Sequence, residues 1–114
     1  MIIHKTHLLF ICMLFFSMQI KAITPDTIKV LAIGNSFSQD AVENYLYDLG
    51  KAKGHILIIG NICIAGCSIE KHLYNAQNDL PAYRYYKINA KGKLIQTENI
   101  TMGNALTDEK WDYI

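Results

Sequence analysis

The sequence is poor in the residues that mark the more specialised classes of protein. It has two prolines and seven glycines among 114 residues, which excludes collagen-like and proline-rich disordered chains. Lysine and arginine total 11 against 10 aspartate and glutamate, and no basic run occurs. This balance argues against a nucleic-acid partner and against a polybasic membrane-surface role. The length allows one small domain at most.

A long apolar run is also missing. The longest, Leu8–Met18, spans eleven residues with only Ser17 polar, whereas a membrane-spanning helix needs about 20. Lys5 precedes the run, and Lys21 and the small Ala22 follow it. This pattern predicts a secretory signal peptide over residues 1–22, with an uncleaved anchor as the alternative. We therefore expect an exported protein, periplasmic or secreted, with no stable membrane span after cleavage.

Cysteine and histidine are scarce in the remaining residues 23–114. The cysteines there are Cys63 and Cys67, and the histidines are His55 and His72. A disulfide across four residues needs special backbone geometry, so two buried free thiols are the favoured interpretation, with the disulfide as the alternative. These few ligands do not make a convincing metal site, and we expect neither a metal nor another cofactor.

Strand and helix patterns alternate along residues 23–114. Two apolar runs suit strands buried on both faces of a parallel sheet, and helical spacing follows the first run. Ser36 and Gln39 fit a capping box for the first helix, and Ser68 fits the N-cap of the second. In chain order, the predicted elements are strand Ile28–Ile33, helix Phe37–Ala52, strand His55–Ile64 and helix Ile69–Gln77.

The last third of the sequence predicts a β-hairpin and a further helix. The hairpin pairs Tyr83–Ile88 with Leu94–Ile100 across a glycine-containing turn, and a short helix covers Asn104–Lys110. Trp111–Ile114 then reads as the entry to a third parallel strand. The fold class is therefore α/β, a parallel sheet with flanking helices and an inserted β-hairpin.

Two loops lie at the carboxyl edge of such a sheet, where ligands bind in open α/β folds. They are Gly34–Ser38 and Ala65–Ser68. From spacing alone, Ser36 fits a helix cap and Gly66 an ordinary turn glycine. A helix N-terminus beside the first loop also fits an anion- or ligand-binding module.

The residues of these loops resemble those of a known family. Val30–Ser38, with Gly34-Asn35-Ser36 at its turn, resembles the first sequence block of the SGNH (GDSL-type) hydrolases. The G-N-S-F-S form is similar to a DUF4886-type subgroup common in gut Bacteroidetes. Ile64–His72 resembles the second block of that subgroup, and Leu106–Ile114 resembles the segment leading into its third strand.

The resemblance implies a fold and a chemistry. The fold is an incomplete flavodoxin-like (SGNH-type) domain, of which residues 23–114 form the N-terminal part. Ser36 is the implied nucleophile, and the backbone N–H groups of Ser36 and Gly66 form the oxyanion hole. Asn35 and His72 are implied neighbours of the site. The implied substrates are acyl esters of carbohydrates or similar small esters.

Two blocks that the family pattern needs are missing from the sequence: the one that supplies a further oxyanion donor and the one that supplies the acid and the base. The family takes its acid and base from a D-x-x-H motif, and none of the aspartates here is followed by histidine three residues on. We therefore expect a hydrolase fragment that is inactive alone, and poorly soluble or oligomeric because of its open sheet edge. The alternatives are a truncated, non-catalytic copy of the fold and the binding module described above.

Overall fold

The computed structural model describes residues 24–114, and the predicted signal peptide lies outside the described residues. Four strands form one sheet in the order β1-β2-β3-β4. Only β1 and β2 run parallel; β2–β3 and β3–β4 are antiparallel. The strands are β1 Thr27–Gly34, β2 Ile56–Cys63, β3 Tyr83–Ile88 and β4 Leu94–Ile100. The α/β prediction is confirmed, with a mixed sheet that has one parallel pair.

The hairpin explains why the sheet is mixed rather than parallel throughout. Strand β3 pairs with the free edge of β2, with Ile62 opposite Tyr85, so the hairpin widens the sheet instead of standing apart from it. Its turn is closed by Asn89, whose Oδ1 accepts the N–H groups of Lys91 and Lys93. Gly92 has a φ of +78°, a conformation that favours glycine. Both strand ranges agree with the sequence prediction.

On the other side of β1, the chain begins a further parallel pairing. Val30 and Tyr113 form a parallel bridge, and the Leu31 N–H donates to the Tyr113 carbonyl oxygen at 2.9 Å. Asp112 strengthens this contact by accepting the Lys29 N–H through Oδ2 at 2.8 Å. The predicted entry to a third parallel strand therefore lies beside β1.

The first helix is not a uniform α-helix. It consists of α1 (Ser36–Asp40), a π-helical turn (Ala41–Tyr45) and α2 (Leu46–Ala52), here called the first helical segment. The predicted capping box is wrong, because the N-cap is Asn35 and Ser36 is the first helical residue. Both residue types favour N-caps, and their adjacency makes the choice ambiguous from sequence.

The two later helices are short. Helix α3 covers Ile69–Gln77 and is capped by Ser68, as predicted. Helix α4 covers Met102–Asp108 and not Asn104–Lys110, because Thr101 and Asn104 form a reciprocal capping box that starts the helix earlier. No helix within residues 24–114 is long and apolar enough to cross a membrane.

Apolar side chains are buried on both faces of the sheet. The cluster centred on Leu57 and Ile59 packs against the first helical segment through Val42 and Leu46. The opposite cluster packs against α4 and Trp111. Its buried members are Leu31, Ile62, Tyr83, Tyr85 and Ala105. Burying each large apolar side chain contributes about 1.5–3 kcal/mol, so these two clusters hold the helices onto the sheet.

Candidate functional site

The two loops predicted to form the site lie next to each other. Gly34 and Cys63 are paired at the ends of the parallel strands β1 and β2. Beyond that pair, the Ile64 N–H donates to the Gly34 carbonyl oxygen at 3.2 Å. The pairing therefore continues past the strands and brings the start of the Ala65–Ser68 loop beside the Gly34–Ser38 loop.

The Asn35 side chain links the two loops through both ends of its amide. Its Oδ1 accepts the Phe37 N–H at 3.0 Å, which caps the first helical segment. Its Nδ2 donates to the Cys67 carbonyl oxygen at 3.3 Å. Asn35, predicted as a neighbour of the nucleophile, therefore holds the second loop against the start of the helix that carries Ser36.

The Gly34–Ser38 turn leaves Ser36 at the surface. The Ser38 hydroxyl donates to the Asn35 carbonyl oxygen at 2.9 Å, and a Cβ on Gly34 would lie 2.2 Å from that hydroxyl oxygen. A side chain at position 34 would therefore force the Ser38 hydroxyl out of this hydrogen bond. Ser36 is exposed, and within residues 24–114 neither its hydroxyl nor its N–H has a hydrogen-bond partner.

Gly66 occupies an exposed turn in the second loop. Its φ is +64°, in the left-handed region that residues with side chains rarely adopt. The turn is closed by a hydrogen bond from the Cys67 N–H to the Ile64 carbonyl oxygen. A Cβ at Gly66 would meet no atom within 4 Å, so backbone conformation and not space requires glycine. In the described part of the chain the Gly66 N–H has no hydrogen-bond partner, and it is available to a ligand.

His72 lies against β3. Its Nδ1 is 2.9 Å from the Tyr83 hydroxyl, and the two rings stack at 5.7 Å between centroids with an interplanar angle of 9°. Burial raises the pKa of Tyr83, which keeps its hydroxyl protonated. Among the described residues, the polar contact of His72 is with Tyr83 and not with Ser36.

A buried polar cluster beneath the first helical segment was not predicted. Glu43 comes from the π-helical turn, and its Oε1 accepts Asn61 Nδ2 at 2.8 Å and Arg84 Nη2 at 2.6 Å. Asn61 is fully buried on β2, in register with Ala32 and Tyr86. The sequence signal for this cluster is a single asparagine inside the apolar run of residues 55–64.

The two cysteines of the described chain are free, buried thiols. Burial raises the pKa of the Cys63 thiol, although Arg84 beside it acts in the opposite direction. A thiol in this state is a weak nucleophile at neutral pH. Within residues 24–114 no group of three or more His, Cys, Asp or Glu side chains is arranged to hold a metal ion.

Comparisons with known proteins agree on one family. The model of the DUF4886 family, described as a domain of unknown function, matches residues 29–114. A DUF4886 family protein from Bacteroides uniformis ATCC 8492 has a crystal structure that is similar to this one, with a TM-score of 0.76. The sequence identity between the two chains is 60%. The match covers 78% of this chain and 34% of that chain, so this chain spans about a third of that relative's length. No curated protein matches.

Proposed function

The chain belongs to the DUF4886 family, and from the geometry of its two loops we propose that it carries the nucleophile end of an SGNH-type serine esterase. Ser36 is the proposed nucleophile. The proposed substrates are acyl esters of carbohydrates or similar small esters, met outside the cytoplasm. Family membership alone names no activity, so the proposal depends on the residues of the loops.

The observation that carries the proposal is the double contact of Asn35. Asn35 caps the first helical segment and also donates to the Cys67 carbonyl oxygen. These two contacts hold the loop that contains Gly66 against the loop that contains Ser36. The N–H groups of Ser36 and Gly66 are both free of partners within the described residues. Free N–H donors and an exposed serine hydroxyl on adjacent loops are among the elements that an acyl-transfer site needs.

The chemistry follows from these groups. The Ser36 oxygen attacks the ester carbonyl and loses its proton to a general base, and the carbonyl oxygen becomes an oxyanion. Donation from Ser36 and Gly66 then stabilises that charge, and removal of one such donor typically costs about 2.7–4 kcal/mol of barrier. The alcohol leaves with a proton, and water hydrolyses the acyl-serine. A serine hydroxyl needs a base, and the D-x-x-H motif that supplies it in the resembling family is absent from these 114 residues.

Labelling with a fluorophosphonate probe tests the nucleophile. We expect slow labelling of the wild-type chain at Ser36 and complete loss in Ser36→Ala. The matched control is Ser68→Asn, because asparagine caps a helix as well as serine does while removing the only other exposed hydroxyl of the two loops. Peptide mapping by mass spectrometry locates the adduct.

Two results would count against the proposal. Labelling that survives Ser36→Ala would place the reactive group elsewhere. A folded, soluble wild-type protein that takes up no probe, even at long exposure, would favour a non-catalytic copy of the fold.

A further inference from the structure

Among the described residues, the buried Tyr83 hydroxyl has one acceptor for its proton. Tyr83 is 1% exposed, and its hydroxyl oxygen lies 2.9 Å from His72 Nδ1. Burial raises the pKa of Tyr83, while the Asn75 amide acts in the opposite direction, as an N–H group facing the hydroxyl oxygen does. Asn75 Nδ2 is itself buried and has no hydrogen-bond partner within residues 24–114. Asn75 therefore faces Tyr83 with a donor and not with an acceptor, so the Tyr83 proton goes to His72 Nδ1.

This hydrogen bond determines which nitrogen of His72 carries the proton. In a neutral imidazole one ring nitrogen donates and the other accepts, and the partner of one nitrogen sets the tautomer. Because Tyr83 donates to Nδ1, the proton of His72 lies on Nε2. The reverse arrangement leaves the buried Tyr83 O–H without an acceptor in the described part of the chain, which is the less stable alternative. Stacking of the two rings, at an interplanar angle of 9°, holds the imidazole in place.

His72 lies at the same edge of the sheet as the candidate site. The His72 N–H donates to the Ser68 carbonyl oxygen at 3.0 Å, so His72 is one helical turn beyond the second loop. Tyr83 begins β3 beside the end of β2, where that loop starts. The His72 side chain is half-buried, and its Nε2 has no hydrogen-bond partner within residues 24–114. A fixed N–H donor therefore lies on the Gly66 side of the site.

We propose that His72 is a substrate-binding residue of this site: Tyr83 holds it as the Nε2–H tautomer, and the Nε2–H group donates a hydrogen bond to an oxygen of the ester substrate. His72 then does not act as the general base for Ser36, because the nitrogen that would take the serine proton already carries one. The binding role rests on the proposed esterase function, whereas the tautomer does not.

Nitrogen NMR of the isotope-labelled full chain tests the tautomer. In slightly alkaline buffer, where imidazole is neutral, we expect a proton on His72 Nε2 and the chemical shift of a hydrogen-bonded acceptor for Nδ1. Tyr83→Phe removes the donor, and the Nδ1 signal moves toward that of a free imidazole. The matched control is Tyr85→Phe, which removes a hydroxyl that donates to Asp108 and leaves the His72 signals unchanged. A wild-type His72 protonated on Nδ1, or an Nδ1 signal that Tyr83→Phe does not move, would overturn the proposal.

The rate of fluorophosphonate labelling at Ser36 tests the binding role. His72→Leu removes the donor, and we expect labelling to be about three- to tenfold slower, a loss typical of one hydrogen bond. His72→Gln keeps an N–H group and restores most of the rate. If His72 were the base, glutamine would not restore the rate, because an amide takes up no proton. The matched control is His55→Leu, an exposed histidine before β2 at the opposite edge of the sheet, which we expect to label at the wild-type rate.

The outcomes separate this proposal from the proposed function. Labelling at Ser36 that His72→Leu does not slow, or that His72→Gln does not restore, would overturn the binding role and leave Ser36 as the nucleophile. A wild-type chain that takes up no probe would overturn the esterase function and the binding role together, while NMR still decides the tautomer. Fluorescence of Trp111 that matches the wild type shows that each variant is folded.

Discussion

Arg84 donates through Nη2 to Glu43 Oε1 at 2.6 Å, and the Glu43 side chain is only 6% exposed. The pair joins β3 of the hairpin to the π-helical turn, which lies 41 residues earlier in the chain. Arg84 also lies over the Tyr86 ring, 4.7 Å from its centroid. A buried carboxylate is tolerated here because Arg84 and Asn61 both donate to it.

Glu43→Ala removes the partner of a partly buried guanidinium and leaves Asn61 Nδ2 without an acceptor. Breaking a buried pair on one side typically costs 3–5 kcal/mol, and since Arg84 is 23% exposed we expect a loss of about 3 kcal/mol. Urea unfolding followed by the fluorescence of Trp111, the single tryptophan, measures it. The control is Asp40→Ala, which breaks an exposed hydrogen bond with Asn44. If this control lowers the free energy of unfolding as much as Glu43→Ala does, the argument is refuted.

Gly60→Ala tests the close packing of Trp111 on the sheet. A Cβ at Gly60 would lie 2.8 Å from the Trp111 ring, which packs against the core, and 2.9 Å from the buried Leu31 side chain. Overpacking of this kind costs about 1–3 kcal/mol. The control Gly103→Ala adds a methyl group on α4 with no contact closer than 3.6 Å, and we expect it to be neutral or slightly stabilising. Similar unfolding midpoints for the two variants would contradict the close packing of Trp111 and Leu31 around Gly60.

The two contacts of Asn35 can be separated by substitution. Asn35→Asp keeps an oxygen for the Phe37 N–H and loses the donor to Cys67, while Asn35→Ala loses both. We expect faster amide hydrogen exchange in residues 64–68 in both variants, and faster exchange at Phe37 only in Asn35→Ala. The alanine variant also loses about 0.5–2 kcal/mol of capping stability. Unchanged exchange in residues 64–68 would show that Asn35 does not hold the second loop.

Glu109 gives the fold an acid-sensitive contact. Hydrogen bonds from Lys29 and Lys87, each at 2.7 Å, lower the pKa of Glu109 below its ordinary value of 4.5. Because the folded pKa is the lower one, the stabilisation is fully present above pH 4.5 and is lost as the pH falls below it through the folded pKa.

Glu109→Gln should therefore reduce the loss of stability between neutral pH and pH 3, as measured by urea unfolding at each pH. The control is Glu98→Gln on the exposed strand β4, where no ion pair is found within the described residues. If Glu109→Gln keeps the wild-type dependence of unfolding free energy on pH, this contact is not a cause of the acid sensitivity.

The strands and the hairpin could be predicted because their signals are local. The hairpin follows from strand-forming runs on either side of a glycine turn, and α3 follows from the Ser68 cap. The sequence could not choose between Asn35 and Ser36 as the N-cap, since adjacent residues of both types compete. The capping box at Thr101 was missed, and α4 begins two residues earlier as a result.

The candidate site was predictable in its backbone and less so in its side chains. The parallel strands β1 and β2 end side by side, and this places the loops that contain Gly34, Ser36 and Gly66 next to each other. By contrast, the pairing of His72 with Tyr83 and of Glu43 with Arg84 depends on the hairpin lying in the same sheet as β2. That placement is set by tertiary packing, which no local pattern in the chain specifies.

The contact between Lys29 and Asp112 joins residues 83 positions apart. Closing so long a loop is entropically costly, whereas the β3–β4 hairpin and α3 need only neighbouring residues. The order of folding should therefore run from the middle of the chain outwards, with the outer edge of β1 completed last. Until then β1 exposes an unpaired edge, and this interval is when a growing or refolding chain is most prone to aggregate.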